Sequence, residues 1–265
     1  CSRDWSSDVC SSDLEAQGDY RVEYAAAAPL QVHFTANTAD GGALEKLLEP
    51  ALSRGGLLSK TLNLGKVPIP EWLHNMRVGG TLQVNTLTLG GVTATRVKSR
   101  LEWNGENLAL PGLSAQVGPA TLAGGLTLDL TGSQPHYEFA GKGSGIPWRN
   151  GSLEAEGTAA TFGSGGDLLG RLALRGKFTA RNLEILQGRR VALAQGPFEM
   201  TWGRSTPVVS STGLTATLEG LSWNGTVETR DSGEVSLKLT SGERSLRAAG
   251  AVFKGDPLIS EQPPQ

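Results

Sequence analysis

Apolar and polar residues alternate in short runs along most of the chain. In Leu122 to Leu130, the residues Leu126, Leu128 and Leu130 fall on one side of an extended strand and Thr127 and Asp129 on the other. The same period of two recurs where Val97, Leu101 and Trp103 alternate with Lys98, Arg100 and Glu102, and where Val235, Leu237 and Leu239 alternate with Ser236 and Lys238. Strict alternation is the mark of a strand with one buried face, and the many threonines suit a pleated, half-exposed surface. Gly, Pro and three Asn-Gly pairs (Asn104-Gly105, Asn150-Gly151 and Asn224-Gly225) punctuate the runs. Both residues of Asn-Gly tolerate positive φ, so each pair predicts a tight hairpin turn. Strands joined this way form an antiparallel meander, and the expected class is all-β.

Helical spacing is rare. Ala43 to Leu52 places Leu44, Leu47 and Leu48 on one face until Pro50 interrupts it, and Pro70 to Met76 opens with Pro at a first helical position. One or two short helices are therefore expected near the N-terminal end, capping the sheet.

A weak internal repeat organises the rest. Gly80 to Leu89 aligns with Gly176 to Ile185, so that Leu82, Val84, Leu87 and Leu89 match Phe178, Ala180, Leu183 and Ile185. Both segments slip in phase after the second apolar residue, which predicts a β-bulge in each. Ser152 to Gly157 likewise resembles Ser245 to Gly250. The chain divides on this reading into 15–76 (the end of a β segment with a helical linker), 77–167 and 168–256 (two β units), and 257–265, a polar, Pro-rich tail expected to be disordered.

Residues 1–14 stand apart. They repeat Ser-Ser-Asp, and the run Asp8 to Leu14 resembles a conceptual translation of a sequencing adapter. The segment is set aside as an assembly artefact, and an N-terminal signal or anchor is then expected to be missing through truncation. Both cysteines, Cys1 and Cys10, fall inside it, which leaves the remainder without disulfides or thiolate chemistry. Outside it basic and acidic residues balance, so no electrostatic footprint for nucleic acid is present. The 36 glycines in 265 residues, about twice the ordinary share, show no period of three and so do not spell collagen. The longest apolar run, Tyr24 to Leu30, is far short of a membrane-spanning helix.

Candidate chemistry is sparse. His33, His74 and His136 lie far apart in sequence with no partner at ligand spacing, so no metal site is expected. Gly141 to Gly145 lacks the context of a nucleophile elbow, and no helix follows Gly163 to Gly166 to focus a dipole on phosphate. Nothing marks Glu154 and Glu156, on one strand face, as a catalytic pair rather than solvated carboxylates. Trp72, Trp103, Trp148, Trp202 and Trp223 sit mostly at expected strand ends, as corner residues do. No cofactor is implied, and an enzyme is disfavoured.

The positive feature is a set of strands with one aliphatic face and few helices to cover it. Such a face must close on a second sheet, on its own curl, or on a ligand. Acyl chains fit a non-directional surface, with about 0.8 kcal/mol for each buried CH₂. A packed sandwich or barrel meets the same composition.

Two stretches carry a family resemblance. Pro70-Glu-Trp-Leu with Val78 to Gly90 is one. The other comprises Val97 to Gly105, Leu108 to Val117 and Ala123 to Leu130. Together they resemble the C-terminal region of AsmA-type bacterial envelope proteins, and the likeness extends over roughly residues 20–256. The resemblance implies an elongated, curled sheet or groove of repeated β units. It implies a periplasmic protein anchored in the inner membrane by an N-terminal segment missing here, which binds phospholipid or other acyl lipid and serves lipid transport between membranes and outer-membrane biogenesis. It brings no catalytic residues. The expected lipid-contacting face consists of Leu82, Val84, Leu101, Trp103, Leu126, Leu128, Leu130, Phe178, Val235, Leu237 and Leu239. Two alternatives remain open: a structural or adhesive β-module without ligand, and a carbohydrate-binding or carbohydrate-active β-sandwich.

Overall fold

A computed structural model describes residues 9–11, 14–22, 30–40, 74–89, 92–132, 134–163, 167–185, 189–202, 206–251 and 258–262. The chain is all-β. The strands are β1 (Val9–Ser11), β2 (Leu14–Val22), β3 (Leu30–Asp40), β4 (Arg77–Leu89), β5 (Val92–Asn104), β6 (Asn107–Val117), β7 (Ala120–Asp129) and β8 (His136–Trp148). They continue as β9 (Gly151–Phe162), β10 (Ala173–Ile185), β11 (Arg189–Trp202), β12 (Pro207–Leu218), β13 (Leu221–Thr229), β14 (Glu234–Ser241), β15 (Arg244–Ala251) and β16 (Leu258–Gln262). A single helical turn, α1 (Asp167–Gly170), precedes β10. Strand order follows chain order. The predicted helix at 43–52 lies outside the described residues, as does most of the one at 70–76. No described helix is long and apolar enough to cross a membrane.

The chain forms two compact units. One holds Cys1–Ala140 with Thr161–Leu168, and the other holds Gly141–Ala160 with Leu169–Gln265. The division cuts through β8 and β9 instead of falling between 167 and 168. These long hairpin partners each serve both units, which a boundary drawn from the linear repeat could not anticipate. Within neither unit does the last strand pair back onto the first.

One ladder departs from the antiparallel meander. β3 and β4 pair parallel, with Leu30 opposite Val78 and Asp40 opposite Thr88. Tight turns reverse the chain, whereas a parallel partner needs a long connection back to the same end, and residues 41–76 supply it. The tail also departs from expectation. Leu258–Gln262 pairs with β15, Ala248 facing Ile259, because a sheet edge offers backbone groups to any extended chain whatever its side chains. The set-aside N-terminal segment contributes β1 in the same edge-pairing manner, with Ser11 opposite Leu14.

The hairpin turns only partly follow Asn-Gly. Arg149 and Asn150 take φ of 46° and 60°, the primed geometry that matches strand twist, and Gly151 already belongs to β9. Gly105, at φ 58°, turns the chain together with Glu106, between the paired Asn104 and Asn107. Asn224-Gly225 is not a turn. It lies inside β13, where Gly225 pairs with both Leu214 and Leu239. The turn before β13 is Glu219-Gly220, with φ of 53° and 78°.

The phase slip is present in both units, in a form other than the expected bulge. On β10 it falls at Asn182, φ 54°, and the register with β11 is the same on either side: Arg181 faces Leu193 and Leu183 faces Val191. On β4 it falls at Asn85, opposite Arg96 at φ 54°, again with unchanged register. One left-handed residue switches the face without adding length. The extra residue appears one ladder further on, where β5–β6 shifts between Thr95 and Lys98 and β11–β12 between Val191 and Leu193. Asn tolerates this backbone and a β-branched side chain does not. Asn182→Val is therefore expected to cost about 1–2 kcal/mol in a urea titration, and Asn182→Gly to stay within about 0.5 kcal/mol of the parent.

The repeat extends further than the sequence alignment indicates. In β6–β7, Leu113, Ala115 and Val117 face Gly124, Leu122 and Ala120 beyond a shift at Pro111/Leu113. In β12–β13, Leu214, Ala216 and Leu218 face Gly225, Trp223 and Leu221 beyond a shift at Ser211/Leu214. The two hairpins are built alike, bulge included.

Candidate functional site

The apolar face follows from the registers. In the first unit Val84 pairs with Val97, Leu82 with Ser99, Gly80 with Leu101 and Val78 with Trp103. Trp103 pairs onward with Leu108, and Leu108 with Leu128. Since alternate residues share a face, Leu82, Val84, Leu101, Trp103, Leu126, Leu128 and Leu130 all lie on one side. In the second unit Phe178 sits between Ala155 and Gly196, while Leu239, Leu237 and Val235 sit opposite Gly225, Val227 and Thr229. These four share one side as well.

Glycines on this side admit neighbouring backbone. A Cβ on Gly225 would fall on the backbone carbonyl of Lys238, and one on Gly80 on that of Val32. Where a sheet bends toward a face, side chains on that face run into the neighbouring backbone, and glycine relieves the conflict. Within each unit glycines that let neighbouring backbone approach closely therefore lie on the apolar side. Among the described residues no second sheet packs over it.

The predicted residues separate by depth. Val84 (2% exposed), Leu128, Leu130 and Leu239 (6%) are buried, whereas Leu82, Leu101, Trp103, Leu126, Phe178, Val235 and Leu237 are half-buried. The buried set belongs to the floor, and the half-buried set is what a ligand could touch. Three clusters result. Leu82 and Val84 pack with Ala36, Val97 and Ala115; Leu128 and Leu130 pack with Trp103, Leu108 and Tyr137. In the second unit Phe178, Leu237 and Leu239 join Ala180, Ala194, Leu214, Ala216, Trp223 and Leu246.

Sequence reasoning missed the alanines and Trp223. Ala180, fully buried at 0% exposure, is registered with Ala194, which is registered with Ala216, which faces Trp223. A row of small residues ending in a large one is visible only once the register is known. Trp223 is no corner residue, being 4% exposed at the middle of its cluster. Its Nε1 has no hydrogen-bond partner, and neither has Oγ of Ser211, 2% exposed on the same face. A buried polar group left unpaired costs about 1–3 kcal/mol, so these two atoms are the polar anomalies of an otherwise aliphatic surface. By contrast Ser99, buried in the first unit, donates to the carbonyl of Pro111 at 3.1 Å.

Other candidates for chemistry disperse. Trp103 donates from Nε1 to the carbonyl of Gly105 at 2.8 Å and seals its own turn, while Trp148 and Trp202 are exposed at strand ends. Trp72 lies outside the described residues. Glu154 pairs with Lys142 at 3.1 Å on the surface and Glu156 is registered with Lys177; exposed pairs of this kind contribute little. His33 bonds Thr81 at 2.9 Å, and His136 stacks on Phe162 at 5.5 Å. His74 does have a carboxylate partner, Glu106 at 2.7 Å, which together with the bond from Gly105 N to Met76 O ties the β5–β6 turn to the entry of β4. No cluster of metal ligands occurs among the described residues. Among the described residues the arrangement offers apolar contact and two unsatisfied buried side-chain polar atoms.

Compared with known proteins, the chain matches no family model, no curated protein and no solved structure.

Proposed function

We propose that the chain binds lipid acyl chains on the apolar face of its β units and performs no chemistry of its own. The observation that carries this reading is the coincidence, in each unit, of three features: the alternating aliphatic residues, the glycines that let neighbouring backbone approach on the same side, and no second sheet among the described residues. Contact with an acyl chain would fall to Leu82, Leu101, Trp103, Leu126, Phe178, Val235 and Leu237, the half-buried members. An extended chain lying on them exchanges water for hydrocarbon at about 25 cal/mol for each Å² covered.

The biological setting in this proposal rests on the AsmA-type resemblance of the sequence. In that setting the chain is part of a periplasmic envelope protein that guides phospholipid between membranes and supports outer-membrane biogenesis. A second reading, a structural module with a dry core, is favoured by one observation: the protein's own atoms bury Ala180 and Leu246 to 0% and 1% exposure. Detergent-free purification followed by organic extraction and lipid mass spectrometry separates the two. Phospholipid at a near-stoichiometric ratio is expected; a folded, lipid-free monomer would favour the structural module.

A further inference from the structure

We infer that Trp223 Nε1 and Ser211 Oγ are each a hydrogen-bonding contact for an ester carbonyl of bound diacyl phospholipid, so that the second unit recognises more than hydrocarbon. This rests on the lipid-binding reading and adds a polar specificity to it. Both atoms belong to residues more than nine-tenths buried, on the apolar side, within or bordering the cluster built by Ala180, Leu214, Ala216, Leu239 and Leu246. Neither has a hydrogen-bond partner in the protein, and the residues that cluster with Trp223 are apolar. An indole N–H can only donate, so whatever satisfies it must bring an acceptor. A hydroxyl can donate to one as well. A pure hydrocarbon occupant brings no acceptor, and a free anion would not sit among aliphatic side chains. An acyl ester brings a neutral carbonyl oxygen attached to the chain that the face accommodates.

The two contacts are spaced along the strands. Trp223 faces Ala216 and Ser211 faces Val227, so four residues of β13 separate the two rows, roughly 13 Å at about 3.3 Å per residue. The two ester groups of one diacyl lipid sit on adjacent glycerol carbons and do not span this distance, so the two contacts serve two lipid molecules. The half-buried Phe178, Val227 and Leu237 pack on the same cluster and offer apolar contact to the acyl chain that carries the ester. The first unit provides a contrast within the molecule: at the hairpin position of Trp223 it carries Leu122, which has no donor.

The test compares two vesicle populations that differ only in linkage. One contains diester phosphatidylcholine, and the other its diether analogue of equal chain length, which lacks the carbonyl. The full chain is incubated with an equal mixture, separated from the vesicles, and its bound lipid quantified by mass spectrometry. The expected result is an ester-over-ether preference of about fivefold, the effect of one net hydrogen bond. It should fall to about twofold in Trp223→Phe, which keeps a flat apolar ring, and likewise in Ser211→Ala, which barely alters volume, since each leaves the other contact in place. Circular dichroism of both variants reports folding, and either folded variant suffices to test the idea. Equal retention of ester and ether by the parent chain would overturn the inference while leaving lipid binding intact. A preference undiminished in both variants would also overturn it. Retention of neither lipid would remove the lipid-binding reading itself.

Discussion

Gly225→Ala is expected to be among the most destabilising single substitutions in the second unit, at about 3 kcal/mol or more. The residue sits mid-strand between Leu214 of β12 and Leu239 of β14, and its Cβ would land on the carbonyl of Lys238. Backbone on both sides leaves no flexible side chain to move aside, so relief means shifting a strand and breaking ladder bonds on each side. The comparison is Gly213→Ala, one position before β12 regains its register with β13 at Leu214 past the bulge. There a Cβ would meet only Pro197, Cδ at 3.4 Å and Cγ at 3.5 Å. That change is expected to stay within about 1 kcal/mol, since loss of unfolded-state freedom offsets mild crowding. Urea midpoints for the two variants check the pair. Equal, small effects would mean that neighbouring backbone does not crowd Gly225.

Leu237→Asp is expected to lower retained lipid at least tenfold while leaving a folded protein. Leu237 is half-buried, at the border of its cluster opposite Val227 and Ala248. A carboxylate there keeps partial hydration, so the fold survives at a cost of about 1–3 kcal/mol. The same charge nonetheless ruins the surface for hydrocarbon. Lys238→Asp, one residue along and on the opposite face, should leave lipid retention unchanged. Leu246→Asp, at a position only 1% exposed, should unfold the second unit and is therefore no probe of binding. Leu128, 6% exposed, is unsuitable for the same reason. Extraction and mass spectrometry on the parent chain, Leu237→Asp and Lys238→Asp distinguish a ligand face from a merely buried one: an unchanged lipid content in folded Leu237→Asp would show that this side of β14 does not carry the ligand.

Local pattern made the strand faces legible. Period-two alternation is dictated by backbone geometry, and so Leu126, Leu128 and Leu130, or Val235, Leu237 and Leu239, could be assigned to one side before any register was known. Features that depend on pairing were not legible. Asn224-Gly225 has the composition of a turn, but Glu219 and Gly220 make the reversal, and Gly225 is required by the approach of β14. The parallel β3–β4 ladder depends on a long connection whose path no local signal reveals. Trp223 reads as a corner residue from its neighbours in sequence, and only the row Ala180, Ala194 and Ala216 explains how so large a side chain is buried. The tail was misjudged because composition describes side chains, while an edge strand is held by its backbone.

Photo-crosslinking tests the central claim most directly. A phospholipid with a diazirine in its acyl chain is loaded onto the full chain, irradiated, and the labelled residues are located by peptide mass spectrometry. Labels are expected on Leu82, Leu101, Leu126, Phe178 and Leu237, with none on the opposite-face residues Lys98, Thr127 and Lys238. Labels spread over both faces, or no label above an irradiated control protein, would contradict that claim.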